Sequence, residues 1–329
     1  MNSEPAVSSN GLFRPHPWLR GGHRQTLLAH VLRKRLRWPH PVEDIVVDTA
    51  DGARLLLRTS WQPGPRESRP ALVIVHGLGG SDSSSYVLSA GRLAFTRGWH
   101  VVRMNMRGSG DGEALCPLLY NAGLDGDLLA VLEAVARLVP RVAVVGFSLG
   151  ANLTLLAVGR GRQRLPRSVE GLAAISAPLD LSACADALER RDNRLYQRYF
   201  MVMLTAAYQH RHRTRPDLFP EGREVGLRTV REYDDVITAP FGGYEDAVDY
   251  YTQSSAGPWL HEIERPTLVL AASDDPMIPV ASVARWPTSP SARREITPTG
   301  GHVGFVGRSP APGHFWAAER ALDFLEDHR

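Results

Sequence analysis

The sequence predicts an α/β fold: a mostly parallel, doubly wound sheet with a helical insertion over it. Three observations carry this. Short, continuously apolar runs at 71–75, 142–145 and 172–175 read as strands buried on both faces. Segments with helical periodicity separate them, and β-α-β-α alternation of this kind builds parallel sheets. From 178 to 257 the rhythm stops, and it resumes at Thr267.

In chain order, Glu43–Asp48 and residues 54–58 flank Asp51-Gly52 and read as a hairpin. A proline-rich loop, 63–70, leads into Ala71–Val75, which ends in His76-Gly77-Leu78-Gly79-Gly80. Residues 84–97 look helical, 100–105 is a second buried strand, and 124–138 repeats Leu124, Leu128, Val131, Leu132 and Val135 on one helical face. Val142 to Val145 runs into Gly146-Phe147-Ser148-Leu149-Gly150 and a helix from about 151 to 159, followed by the strand at 172–175. The stretch 178–257 is charged, aromatic and helical, and reads as a cap. Strands follow at 267–271 and 294–297, and a last helix at 314–327. The chain therefore divides into an arm (1–40), a core (41–177 and 258–329) and a cap (178–257).

Composition narrows the chemistry. Of 38 basic residues in 329, only Lys34 is lysine. A pyridoxal-phosphate Schiff base, a Walker A loop and a protein kinase each need a lysine in a context that Lys34 lacks. The bulk of the arginines fits arginine-rich codon usage. Neither Gly77-x-Gly79 nor Gly108-x-Gly110 completes G-x-G-x-x-G, so no dinucleotide site and no cofactor is expected. Cys116 and Cys184 have neither disulfide nor metal spacing, and His210-Arg211-His212 has no ligand partners nearby, so no metal is expected. No apolar run approaches the roughly 18 residues of a membrane span. The polar start lacks a signal-peptide core, and a cytoplasmic location is expected.

Gly146-x-Ser148-x-Gly150 matches a nucleophile elbow, in which glycines allow a tight strand-to-helix turn that lifts a serine hydroxyl above the sheet. A serine nucleophile needs a base, and the base an orienting carboxylate. His302, in Gly300-Gly301-His302-Val303-Gly304 after the last strand, is the base; His314 and His328 read as surface residues. Asp275, in Asp275-Pro276-Met277-Ile278-Pro279, is the acid, with Asp274 capping or holding the loop. The oxyanion needs two donors. They are the backbone N–H groups of Leu149 and Leu78. His76 precedes the serine in a strand-end turn and reads as a satisfied structural histidine. Tyr196, Tyr199, Phe200 and Met203 in the cap either line an acyl pocket or pack the cap on the core.

Together these residues resemble the α/β-hydrolase superfamily, specifically its YheT-type branch, which is similar to the eukaryotic α/β-hydrolase-domain lipases. Gly22-His23-Arg24-Gln25-Thr26 resembles that branch's N-P-H-x-Q-T opening, and His76 to Ser81 its H-G-L-E-G-S loop. Gly146 to Asn152 resembles its elbow; Arg231 to Asp235, Gly243 to Tyr251, Asp274-Asp275-Pro276 and Gly300 to Phe305 are also family-like. The resemblance implies Ser148, Asp275 and His302 as a triad. Gly79 stands where the family has Glu, and Gly21-Gly22 where it has Asn-Pro. The eukaryotic relatives often carry a membrane anchor; none is expected here.

The expected activity is cleavage of small-molecule or lipid carboxylic esters, with no nucleic-acid partner. Acyl transfer on the same triad and a silent membrane-associated scaffold are the alternatives. Residues 1–40 carry seven basic residues and one acidic, a net +6, while the chain is +3, so the body is slightly acidic. The arm's basic amphipathic segment, His23 to Trp38, either makes peripheral contact with an anionic membrane or docks on the body with its basic face solvated. Its removal is expected to alter surface association or folding more than the chemistry at Ser148.

Overall fold

The hairpin around Asp51-Gly52 forms the first two strands, β1 (Glu43–Asp48) and β2 (Arg54–Ser60), paired antiparallel from Glu43↔Thr59 to Asp48↔Arg54. Gly52 sits in the turn at φ 83°, a conformation that glycine adopts without strain. This computed structural model describes residues 13–33, 36–308 and 315–328. The polar start before Phe13, Lys34, Arg35 and His314, on which parts of the sequence reading fall, lie outside the described residues.

Six further strands follow: β3 (Ala71–Val75), β4 (His100–Met104), β5 (Val142–Phe147), β6 (Val169–Ile175), β7 (Thr267–Ala272) and β8 (Ala292–Thr297). The sheet order is β1-β2-β4-β3-β5-β6-β7-β8. The hairpin joins β4 antiparallel, and every pair from β4 to β8 is parallel. The apolar runs reflect burial on both faces. In β3, Ala71, Val73 and Val75 enter one core, and Leu72 and Ile74 enter the other.

Helices cover both faces. Before the sheet comes α1 (Gly22–Arg33). Next are α2 (Ser85–Thr96), α3 (Asp125–Ala136) and α4 (Leu149–Gly159). The segment between β6 and β7 holds α5 (Leu181–Glu189), α6 (Arg194–Thr214), α7 (Val230–Tyr233), α8 (Ala239–Gly242) and α9 (Ala247–Ser254). Then come α10 (Val280–Ala284) and α11 (Trp316–Asp327). Side chains of α2 and α11 pack on one face of the sheet, those of α3 and α4 on the other. Every residue of α4 is buried, which explains why its sequence is mostly apolar on all sides rather than on a stripe, with Asn152 and Thr154 the buried polar exceptions. A five-residue π-helical stretch, Asp234–Thr238, links α7 to α8 and turns Asp234 into the interior.

The arm helix α1 docks through small residues, Gln25 and the partly buried Leu28, which packs on the cluster of Leu19, Ala29, Val306 and Phe315. Gly22, Gln25 and Ala29 are buried, whereas Leu27, Val31 and Leu32 face outward at 51%, 55% and 53% exposure. Periodicity locates an apolar face without saying whether it turns inward, and here close backbone approach selects glycine and alanine for the docked side.

His76 ties the ends of β3 and β4 together. Its Nε2 accepts from the Met106 amide at 3.1 Å and its Nδ1 donates to the Gly77 carbonyl at 2.8 Å. Burial holds the ring neutral, pushing its pKa from 6.5 down to about 4. The unfolded chain therefore binds a proton near pH 6.5 that the folded chain refuses until about pH 4. This group contributes stability above pH 6.5 that is lost as pH falls toward 4, up to about 3 kcal/mol. Urea titrations across that range should show a shallower decline for His76→Asn than for the wild type. Equal slopes would refute the assignment.

Candidate active site

Three loops at the carboxyl ends of parallel strands converge on one point, the general location of sites in open α/β sheets. Ser148 sits between β5 and α4 with φ 52° and ψ −120°, a backbone that few non-glycine residues adopt. The amide of Ser148 donates to the Ile175 carbonyl at 2.9 Å. The flanking glycines are required by space. A Cβ on Gly150 would lie 2.3 Å from the His76 carbonyl oxygen, and one on Gly146 would lie 2.5 Å from that of Gly150.

His302 follows β8 and Asp275 follows β7. The Ser148 hydroxyl donates to His302 Nε2 at 2.8 Å, and His302 Nδ1 donates to Asp275 Oδ2 at 2.9 Å. The other carboxylate oxygen, Oδ1, accepts from the amides of Met277 at 2.9 Å and Ile278 at 3.0 Å. Asp275 thus has its oxygens divided between loop and ring, and its side chain is 1% exposed. Asp274 points elsewhere: its Oδ1 accepts from the Gly301 amide at 2.9 Å, and burial raises its pKa above the usual carboxylate range. The structure therefore brings Ser148, His302 and Asp275 into one hydrogen-bonded line, with Asp274 holding the histidine loop.

Leu78 and Leu149 line the same cavity as Ser148. In the turn after β3 the neighbouring amides are committed: Gly77 to the Tyr86 hydroxyl at 2.9 Å, Gly79 to the Tyr120 hydroxyl at 2.6 Å and Gly80 to the Gly77 carbonyl at 3.0 Å. Among the described residues, the Leu78 amide alone in that turn has no hydrogen-bond acceptor. The Leu149 amide opens α4, where the first N–H groups of a helix have no internal partner.

The cavity beside Ser148 has an empty volume of about 1120 Å³, the open space at its mouth included. Leu181, Leu188, Phe200, Met203, Leu204 and Met277 form its apolar walls. Arg211, Asp234 and Tyr251 are among its polar lining. The Asp234 carboxyl accepts from the Tyr251 hydroxyl at 2.7 Å, and burial raises its pKa to about 6. Of the four cap residues with two open readings, Phe200 and Met203 line the cavity, Tyr199 is exposed, and Tyr196 is buried against α1.

Met203 also accounts for the departure at Gly79. Gly79 has φ 68°, and a Cβ there would fall 1.7 Å from Met203 Sδ, so the methionine fills the space a larger residue would need. His76 has both ring nitrogens engaged and does not reach the serine line. His212 bonds the Phe219 carbonyl at 2.8 Å and His210 lies 3.6 Å from Glu113. No metal-holding cluster of histidine, cysteine or carboxylate exists among the described residues.

Sequence reasoning missed three supports. Asn152, one turn past the serine, donates to the carbonyls of Ala122 and Ser254 and accepts from the Ala256 amide, tying α4 to the return of the cap. Gln25 and Thr26 of α1 bond the loop that carries His302. Their signal was present in the family-like Gln25-Thr26 pair, but nothing local says what it touches.

Residues 70–308 match the family described as the alpha/beta hydrolase fold. The protein YheT of Escherichia coli (strain K12) is 33% identical over 324 residues, 97% of this chain and 94% of that protein. Phospholipase ABHD3 of Homo sapiens is 27% identical over 307 residues, covering 89% of this chain and 73% of its own. Among solved structures, the Pyrococcus furiosus esterase Pf2001 superposes with a TM-score of 0.58 at 15% identity, over 89% of this chain and 97% of that one. With the strand order and the elbow, these matches establish that the chain belongs to the α/β-hydrolase fold family, in its YheT-type branch.

Proposed function

We propose that the chain is a serine hydrolase that cleaves carboxylic esters through an acyl-enzyme. The observation that carries the reading is the Ser148–His302–Asp275 line, with spacings of 2.8 and 2.9 Å, opening on a largely apolar cavity. His302 Nε2 takes the serine proton as Oγ attacks the ester carbonyl, and Asp275 stabilises the imidazolium. The Leu78 and Leu149 amides receive the oxyanion. His302 then protonates the leaving alcohol, and water activated by the same nitrogen releases the acid and frees the serine. Side chains and water complete the cycle.

The cavity walls favour an acyl chain, and a relative named as a phospholipase supports a lipid ester as substrate. A fluorophosphonate probe should label the wild type and not Ser148→Ala. On ester substrates, Ser148→Ala and Asp275→Asn should each lower kcat by about 10⁴-fold. Equal labelling of both proteins, or unchanged turnover in Ser148→Ala, would overturn the reading. Product analysis with added alcohols separates hydrolysis from acyl transfer.

The proposal extends to a lipid surface. Leu27, Val31 and Leu32 project from α1 beside the exposed Arg20 and Arg24, the composition of an interfacial helix. The proposed contact is peripheral, and no described helix is long and apolar enough to cross a membrane. Cosedimentation with phosphatidylglycerol vesicles should exceed that with phosphatidylcholine. The triple change Leu27→Ser, Val31→Ser, Leu32→Ser should lower it at least tenfold while folding is retained. Binding that the triple variant leaves unchanged would overturn the surface assignment.

A further inference from the structure

The loop that carries His302 is strained. Val303 and Phe305 have φ of 54° and 44°, in a region that β-branched and bulky residues avoid. Such conformations are costly and persist only where the surroundings over-determine them. Here the surroundings are a row of acceptors for the loop's amides. Asp274 takes the Gly301 N–H at 2.9 Å, Ser176 takes that of Val303 at 3.1 Å, and Gly300 takes that of Phe305 at 2.8 Å.

Two more of the loop's amides, those of His302 and Val306, are held from α1. Thr26 Oγ1 accepts from the His302 N–H at 2.9 Å while donating to the Gly22 carbonyl at 2.8 Å. Gln25 is fully buried. Its Oε1 accepts from the Val306 N–H at 2.7 Å, and its Nε2 donates to the carbonyls of Leu19 at 2.9 Å and Val306 at 3.2 Å. Backbone contact is equally close. A Cβ on Gly301 would lie 2.4 Å from the Gly22 carbonyl oxygen, one on Gly304 2.9 Å from that of Gln25, and one on Gly22 1.6 Å from that of Asp274. The helix thus touches the loop of the base and the loop of the acid together. It also meets the cap: the His23 ring stacks on Tyr196 with centroids 5.7 Å apart, and the Tyr196 hydroxyl lies 3.2 Å from His23 Nδ1.

We infer that α1 is a positioning strap for the general base: Gln25 and Thr26 hold the backbone of the His302 loop so that the imidazole stays within reach of Ser148 and Asp275. The inference rests on the Ser–His–Asp reading of the site. It makes Thr26 and Gln25 positioning residues, since neither touches the reacting atoms. It also reverses the expectation that the arm matters more for the surface than for the chemistry.

Thr26→Val keeps the shape and removes the oxygen; Thr26→Ser restores the oxygen on a smaller side chain. Fluorophosphonate labelling of Ser148, in the full chain, reads serine activation without needing the physiological ester. Thr26→Val should lower the limiting labelling rate and kcat by about 10- to 100-fold with half-saturating probe and KM unchanged, because a misplaced catalytic group costs rate rather than binding. Thr26→Ser should recover most of it. Gln25→Glu is a second variant: it keeps the acceptor for the Val306 amide and removes the amide donor, and it should lie between wild type and Thr26→Val. Labelling of folded Thr26→Val at the wild-type rate would overturn the inference while leaving the hydrolase reading intact. Failure of the wild type itself to label would overturn both.

Discussion

The site depends on one close approach: α4 meets the end of β3 with no room for a side chain between them. A Cβ on Gly150 would lie 2.3 Å from the His76 carbonyl and 2.6 Å from that of Val75. That contact forces the chain to turn within a single residue after β5, and the residue that takes the turn is Ser148, at positive φ. Sheet and helix, buried throughout, are rigid enough to hold that backbone. The strain at Ser148 is thus a product of core packing, and the hydroxyl's position above the sheet follows from it.

The base is held by a different device. The loop that carries His302 lies at one edge of the sheet with α1 packed against it, and hydrogen bonds to its amides, two of them from α1, hold its conformation. The adjacent carboxylates then divide the work. Asp275 receives two amide donors on one oxygen and the imidazole on the other, an arrangement that fixes the carboxylate facing the ring. Asp274 receives the Gly301 amide and so holds the loop rather than the imidazole, and burial raises its pKa.

The fold was legible in the sequence where one physical cause dominated. Strands buried on both faces must be apolar at every position, so β3, β5 and β7 were readable as uninterrupted runs. The residues of the serine line were readable because a tight elbow needs glycines and because each loop follows a strand end. What escaped depends on contacts between distant segments. Thr26 and His302 are 276 residues apart, and Gln25 and Val306 are 281 apart. Gly79 looked like a loss of a side chain, and only the position of Met203 shows that the space is taken. For α1, periodicity drew attention to leucines and valine, of which Leu28 alone packs inward, while docking also needed small residues and one buried amide.

That last difference changes what the arm's charge means. Gly22, Gln25, Thr26 and Ala29 make the docked side, and none carries a charge. The exposed Arg20 and Arg24 therefore do not hold the helix in place, and neither do the outward aliphatic residues. A helix can change its outer face freely only when its inner face already fixes it, and three hydrogen bonds from one buried glutamine do so here. Docking and surface chemistry are thus carried by separate residues of a single helix. The same geometry couples them in space, because whatever lifts or tilts that helix moves the acceptor of the His302 amide. A surface engaging the outer face would act one hydrogen bond away from His302.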